Sequence, residues 1–200
     1  MKDLDLFKFK DSVYLREVKN KEEALRDLDC DGFLIRSGES EARRIIASLK
    51  DKKFGGKIAL VGGDDAFNRR ALESLKIDYL VSPEGASREI GNKKLEIRIK
   101  DTLKQRDSGL NHVVAKIAAE KGVKIVIDLG EIRRLTSGIE ASRKIARIMQ
   151  NVLVCRKAGC SLRIASLALD KSGIVDVKGR QSFGVTIGMS SEEVRDCVEF

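Results

Sequence analysis

Apolar residues recur along this chain in two alternating rhythms: short β-branched runs, and longer stretches with apolar positions three and four apart. Gly32–Ile35, Lys57–Val61 and residues 78–81 each start near a polar residue, run through apolar ones and end against Ser, Gly or Asp. That is the pattern of strands buried on both faces of a parallel sheet. Between them, 39–50 carries Ala42, Ile45, Ile46 and Leu49 on one helical side, and 64–75 carries Phe67, Ala71, Leu72 and Leu75. Upstream, 13–16 reads as a strand and 22–28 as a short helix. Strand candidates recur about every 20 to 25 residues, the length of a strand plus a returning helix. Repeated units of this kind form either a closed barrel or an open doubly wound sheet.

The stretch 104–129 contains one whole unit. Asp107 or Ser108 caps a helix over 108–121, with Leu110, Val114, Ile117 and Ala118 on one face and Gly122 as a left-handed stop. A strand over 123–127 follows, with Lys124 its only charge and Asp128 at its end. Further on, 139–158 predicts a long helix with Ile145, Ile148, Met149, Val152 and Cys155 on its inner face. Arg143, Lys144, Arg147, Gln150 and Asn151 form its outer one. Residues 162–166 repeat the buried-strand pattern, 167–181 read as a polar loop, and 181–187 as a short helix. Ser190 or Ser191 caps a last helix with Glu192 and Glu193 in its first turn. The segment 82–105 breaks the rhythm. It is too long for an ordinary connection, and in a barrel it would leave the carboxyl end of a strand, where sites are built. Within it, 95–99 alternates in polarity and suits either an edge strand or the start of a helix.

Composition changes this picture in three places. Two hundred residues suit one domain, 1–200, with a core that needs no disulfide or metal. No apolar run approaches the roughly 20 residues of a membrane span, and the opening MKDLDLFKFKD is too charged for a secretory signal, so the expected location is cytoplasmic without membrane association. The cysteines Cys30, Cys155, Cys160 and Cys197 are scattered and read as small core residues. Finally, the net charge of +8 is uneven: nine Lys or Arg stand between 141 and 180 against two acids. A local basic surface and a polyanionic partner follow as expectations.

The run Arg106-Asp107-Ser108-Gly109-Leu110-Asn111-His112, continuing through Ala115-Lys116-Ile117-Ala118, resembles the most characteristic segment of the archaeal ribonuclease P protein component 3 family. The weaker similarity extends over nearly the whole chain. The resemblance implies a TIM-barrel-like parallel βα barrel, related to the polymerase and histidinol phosphatase fold. Family members continue beyond the point where this sequence stops, which leaves closure of the ring open. It further implies a protein subunit of ribonuclease P that assists the catalytic RNA in removing the 5′ leader from precursor tRNA. The partners would be ribonuclease P RNA, precursor tRNA, the ferredoxin-like ribonuclease P protein component 2 and the other protein subunits. The polypeptide would bind no cofactor of its own, magnesium belonging to the RNA active site. Two departures from the family pattern stand out: Gln105 occupies a position usually basic, and Gly179-Arg180-Gln181-Ser182 lacks the family's proline.

The candidate residues agree with binding rather than cutting. His112 is the only histidine, so the His-rich metal site of barrel phosphoesterases cannot be assembled, and no nucleophile-His-acid spacing is visible. Gly62-Gly63-Asp64-Asp65 reads as a tight turn, because two carboxylates follow the glycines. Asp128 and Glu131 stand where barrel enzymes place catalytic groups, yet capping or an ion pair explains them equally. For RNA, Arg88, Lys104, Arg106, Lys121, Lys178 and Arg180 are the candidates, all placed in loops or at helix ends. His112 beside Lys116 would be a hydrogen-bonding or stacking pair. Aromatics are too few for stacking platforms, so contacts would be mainly to phosphate and shape. The rivals are a stand-alone barrel phosphoesterase or nuclease and a non-catalytic interaction scaffold.

Overall fold

The computed structural model describes residues 2–10, 12–84, 101–102 and 106–200, together with the backbone of 87–90 and 93–96. Seven parallel strands follow one another around a ring: β1 (Asp3–Asp5), β2 (Ser12–Val18), β3 (Gly32–Ile35), β4 (Lys57–Val61), β5 (Tyr79–Val81), β8 (Lys124–Asp128) and β9 (Leu162–Ala165). A separate antiparallel pair, β6 (Ser87–Ile90) and β7 (Lys93–Glu96), rises between β5 and β8. The helices are α1 (Lys21–Arg26), α2 (Glu39–Asp51), α3 (Asp65–Ser74), α4 (His112–Lys121), α5 (Leu129–Arg134), α6 (Gly138–Ala158), α7 (Val177–Thr186) and α8 (Ser191–Asp196).

Alternation along the strands sorts the apolar residues into two cores. Phe33, Ile35, Leu60, Leu80, Ile125, Ile127 and Ile164 point outward against the helices. Leu15, Leu34, Ala59, Tyr79, Val81, Val126 and Ala165 point inward and fill the ring. Phe200 packs its ring against Tyr79 at 6.1 Å, so the interior is a packed core rather than a pore.

The two edges of the sheet meet. Leu167 N–H donates to the Leu4 carbonyl and Leu6 N–H to the Ala168 carbonyl, each at 2.9 Å. Asp3 and Asp5 add side-chain acceptors for the N–H groups of Ser166 and Ala168, both at 3.1 Å. The ring is thus nearly closed: β1 and β9 form no strand ladder, and the seam is bridged by these two backbone bonds and by the two carboxylates on β1. Three residues carrying two of those acids show no apolar pattern, and β1 was absent from the sequence reading for that reason.

Two helix starts differ from expectation. α4 begins at His112, not 108, because Asn111 is the cap, accepting from Val114 N–H at 3.0 Å, while Gly109 holds a φ of +68° that no helix admits. α7 begins at Val177 rather than 181, since Asp176 accepts from Gly179 N–H at 2.7 Å and draws Lys178 and Arg180 into the helix. α5, not expected at all, starts directly from the end of β8. The hairpin strand β7 takes in 95–96 of the ambiguous 95–99, and 97–99 lie outside the described residues. Ser190 forms a complete capping box with Glu193.

Gly109 also makes a very tight approach: a Cβ there would stand 1.8 Å from the Pro83 carbonyl oxygen. Gly109→Ala is expected to cost about 3 kcal/mol, from left-handed strain plus displacement of the Pro83 loop. Thermal melting should fall by roughly 6–12 °C; an unchanged melt would show that the loop relaxes freely.

Candidate nucleic-acid interface

Much of the basic excess between 141 and 180 is engaged inside the fold or in pairs, and Arg143, Lys157, Lys171 and Lys178 are the exposed remainder. Lys144, Arg147 and Arg180 are buried, Arg156 pairs with Glu193 at 2.6 Å, and Arg163 donates to the Glu199 carbonyl at 2.7 Å. The outer face expected for α6 is partly its inner one. Lys144, Arg147 and Asn151 face inward beside Ile148, Val152 and Cys155, whereas Met149 is exposed. A polar stripe at helical spacing packs inward when carboxylates await it, and here they come from the long connection after β5 and from α5.

Lys144 Nζ lies 2.8 Å from Glu131 and 3.4 Å from the fully enclosed Glu84. Burial alone would lower the lysine, but Glu84 and Glu131 outweigh it and hold the ammonium charged. Glu131, half-buried, is pulled below the usual carboxylate range by that ammonium despite its burial. Burial pushes Glu84 up. Asp128 caps α5 by accepting Glu131 N–H at 2.8 Å, and desolvation, then the Glu131 charge, push it up to about 7. Both acids weighed as catalytic thus serve a cap and an ion pair.

For Asp128 the native state holds a proton that the unfolded chain has already released, so stability from this group is lost as pH rises from about 4 towards 7. Asp128→Asn keeps a capping oxygen without the charge. It should raise the melting temperature at pH 8 by several degrees and have little effect at pH 5; a lower melt at pH 8 would show that the carboxylate is needed ionised.

The segment 106–111 is docked on α6. Gln150 accepts from Arg106 N–H at 2.7 Å and donates to the Arg106 carbonyl at 2.8 Å and the Ser108 hydroxyl at 3.0 Å. Asn151 donates to the Ser108 carbonyl at 3.1 Å, and Arg147 pairs with Asp101, which also accepts Asp107 N–H. From the other side Asn68 donates to the carbonyls of Gly63, Pro83 and Gly109. Gly62-Gly63-Asp64 is accordingly a turn, with Asp64 capping α3.

This frame leaves Arg106, His112 and Lys116 exposed together at the start of α4, on the side where the strands end. Lys178 is exposed in the first turn of α7 on that same side. Lys121 closes α4 some 13 Å further along the axis by helix rise, and donates to the carbonyls of Leu72 and Glu73, both at 2.7 Å. It belongs to the opposite rim. Arg180 is a correction: it is 2% exposed and its guanidinium donates to Asp3 at 2.9 Å, out of reach of any phosphate. Arg88 lies on β6 with its side chain outside the described residues, and Lys104 lies outside them altogether. Arg133 and Arg134, exposed at the end of α5, were overlooked; two adjacent arginines just past a strand end were the available signal. Among the described residues no set of three His, Cys, Asp or Glu is gathered as metal ligands, and no helix is long and apolar enough to cross a membrane.

No protein-family model matches the chain. It is 26% identical over 161 residues to a protein of Methanococcus vannielii, covering 74% of this chain and 59% of that protein. With a protein of Methanococcoides burtonii it is 24% identical over 160 residues, covering 80% and 57%. Both are named ribonuclease P protein component 3. The chain resembles ribonuclease P protein component 3. It spans under three fifths of the length of these curated relatives, 59% and 57%. In three dimensions it superposes on a chain of the cryo-EM structure of archaeal ribonuclease P with mature tRNA at a TM-score of 0.70, with 19% identity, covering 98% of this chain and 87% of that one. An amidohydrolase barrel matches at 0.54 with 13% identity, covering 88% and 44%. The fold is thus the nearly closed parallel βα barrel seen in archaeal ribonuclease P, and the docked 106–118 segment carries the component 3 resemblance.

Proposed function

We propose that this chain is a protein subunit of ribonuclease P, binding and stabilising the catalytic RNA that removes the 5′ leader of precursor tRNA. The supporting observation is the coincidence of sequence and fold: relatives named ribonuclease P protein component 3 cover 74% and 80% of the chain. The barrel from an archaeal ribonuclease P structure covers 98% of it. In this reading the polypeptide supplies no catalytic group and holds no cofactor, and magnesium acts within the RNA. Arg106, His112, Lys116 and Lys178 on the strand-end rim meet phosphate, with Arg88 and Lys104 as further candidates. The ferredoxin-like component 2 is the protein partner, in the cytoplasm.

The test is reconstitution with archaeal ribonuclease P RNA and the ferredoxin-like subunit, following leader cleavage at limiting magnesium with each component omitted in turn. Cleavage should require the RNA and rise when this chain is added; a chain that changes nothing and cleaves RNA alone would return the phosphoesterase rival. Arg106→Ala should weaken RNA binding uniformly across sequences and reduce the slope of log affinity against log salt by about one. Its melt should stay unchanged, because Gln150 binds only the Arg106 backbone.

A further inference from the structure

A cavity of about 220 Å³ opens between α5 and the loop after β9, lined by Gly130, Arg133, Arg134, Leu169, Asp170 and Ser172 among others. It lies on the strand-end rim, away from the start of α4, and nothing above assigns it a role. We propose that it receives one unpaired nucleotide of the RNA, the base lying between the Arg133 guanidinium and Leu169 and its phosphate turned towards Arg134. This rests on the RNA-binding reading above and adds a site of a different kind, one that distinguishes single strands from duplex.

The size is the first argument. The cavity, about 220 Å³, is below the roughly 300–1,000 Å³ of sites for drug-sized ligands, which suits one base with its phosphate at the mouth better than a whole cofactor. The walls are the second. Arg133 Nη1 donates to the Gly173 carbonyl at 3.0 Å, which anchors one end of the planar guanidinium between two residues of the cavity wall. Leu169 is 58% exposed and supplies an apolar surface beside it. Unstacked bases are held in this manner, against guanidinium planes and apolar side chains. Arg134 keeps 44% of its side chain exposed and pairs with Asp128 only at 3.7 Å, beyond hydrogen-bond reach, so a phosphate can compete for its N–H donors.

Asp170 decides between a nucleotide and a bare phosphate. Its carboxylate accepts the N–H groups of Ser172 and Gly173 at 2.8 and 3.2 Å and the Ser172 hydroxyl at 2.5 Å, which hold it below the usual carboxylate range and ionised. A phosphate filling the cavity would meet that charge, whereas base amino groups and a ribose hydroxyl can donate to it. The backbone is also unusual here. Leu167 holds a φ of +39°, rare for a branched side chain, and a Cβ on Gly130 would lie 2.7 Å from the Ser166 carbonyl. The loop and α5 thus meet through a strained, close contact of the kind found at binding sites. Exposed Lys171 stands between the lining residues Asp170 and Ser172 and draws the RNA in.

The experiment uses a single-stranded RNA decamer with a central 2-aminopurine and a blunt RNA duplex of equal length, titrated against the full chain at two salt concentrations. Wild type should bind the strand with its fluorescence raised, because the base leaves the neighbours that quench it for a lining without aromatic rings. Arg133→Ala and Leu169→Ala should each weaken strand binding roughly tenfold and abolish that rise, with duplex binding unchanged. Arg133→Lys should retain the salt dependence and still lose the rise. Both side chains are outside the core, so their melts should match wild type. If both variants bind and brighten as wild type does while wild-type binding is salt-dependent, the nucleotide site is overturned and the RNA-binding reading stands. Equal losses for strand and duplex would make this a phosphate contact only and also overturn it. A wild type that binds neither RNA at low salt overturns both.

Discussion

Lys144→Met should destabilise this protein by about 3–5 kcal/mol, because it removes the ammonium that bridges Glu84 and Glu131 and leaves the enclosed Glu84 without an ion-pair partner among the described residues. The melting temperature is expected to fall by roughly 6–20 °C. The effect has a definite pH dependence. Without the ammonium both carboxyls shift upward, so the native state retains protons that the unfolded chain loses above its ordinary carboxylate range near 4.5. Stability of the variant then falls as pH rises, and the deficit should be larger at pH 8 than at pH 5. Adding Glu84→Gln should recover part of it. A Lys144→Met protein that melts like wild type at both pH values would show that the carboxylates are protonated or solvated without the lysine's help.

The second large effect is at the seam of the barrel. Arg180→Met leaves Asp3 enclosed with the bonds from the Leu4 and Ser166 N–H groups and the Ser166 hydroxyl, and is expected to cost about 3–5 kcal/mol. Burial already raises Asp3 against the pull of Arg180, so removing the guanidinium raises it further and makes the loss worse at higher pH. The double variant Asp3→Asn, Arg180→Met should be more stable than Arg180→Met alone, since Asp3 is then no longer a buried charge and no longer repels the neighbouring Asp5. Salt-dependent RNA affinity measured on folded Arg180→Met should match wild type, in contrast to Arg106→Ala, which should lose affinity at an unchanged melt. If Arg180→Met instead melts normally and loses RNA affinity, the side chain reaches RNA and the seam role is wrong.

These two arginines show how far a basic residue can be read from its position in the chain. Arg106 and Arg180 both stand near predicted turns, and both were carried over from the same resemblance. Arg106 is outward because only its backbone is bound by Gln150, while Arg180 was drawn inward by a helix that starts four residues earlier than its apolar spacing suggests. The start is set by Asp176, a legible capping residue, but the partner that makes burial tolerable is Asp3, at the other end of the chain.

What the sequence by itself determined is local. The bounds of β3 and β4, the left-handed stops at Gly122 and Gly159, the capping of α8 and the repeated strand-helix rhythm all follow from residues within one or two turns of each other. Only the tertiary structure decided which side of α6 is inside, where the ring closes and which cations stay free. Lys144, Arg147, Ile148 and Asn151 share one stripe as regularly as the apolar set does, and helical spacing cannot rank a stripe of mixed chemistry. The ranking comes from Glu84, Asp101 and Ser108, supplied by segments that join the helix only when the barrel forms. Charges bury where partners await them, and partners distant in sequence are invisible to a local pattern.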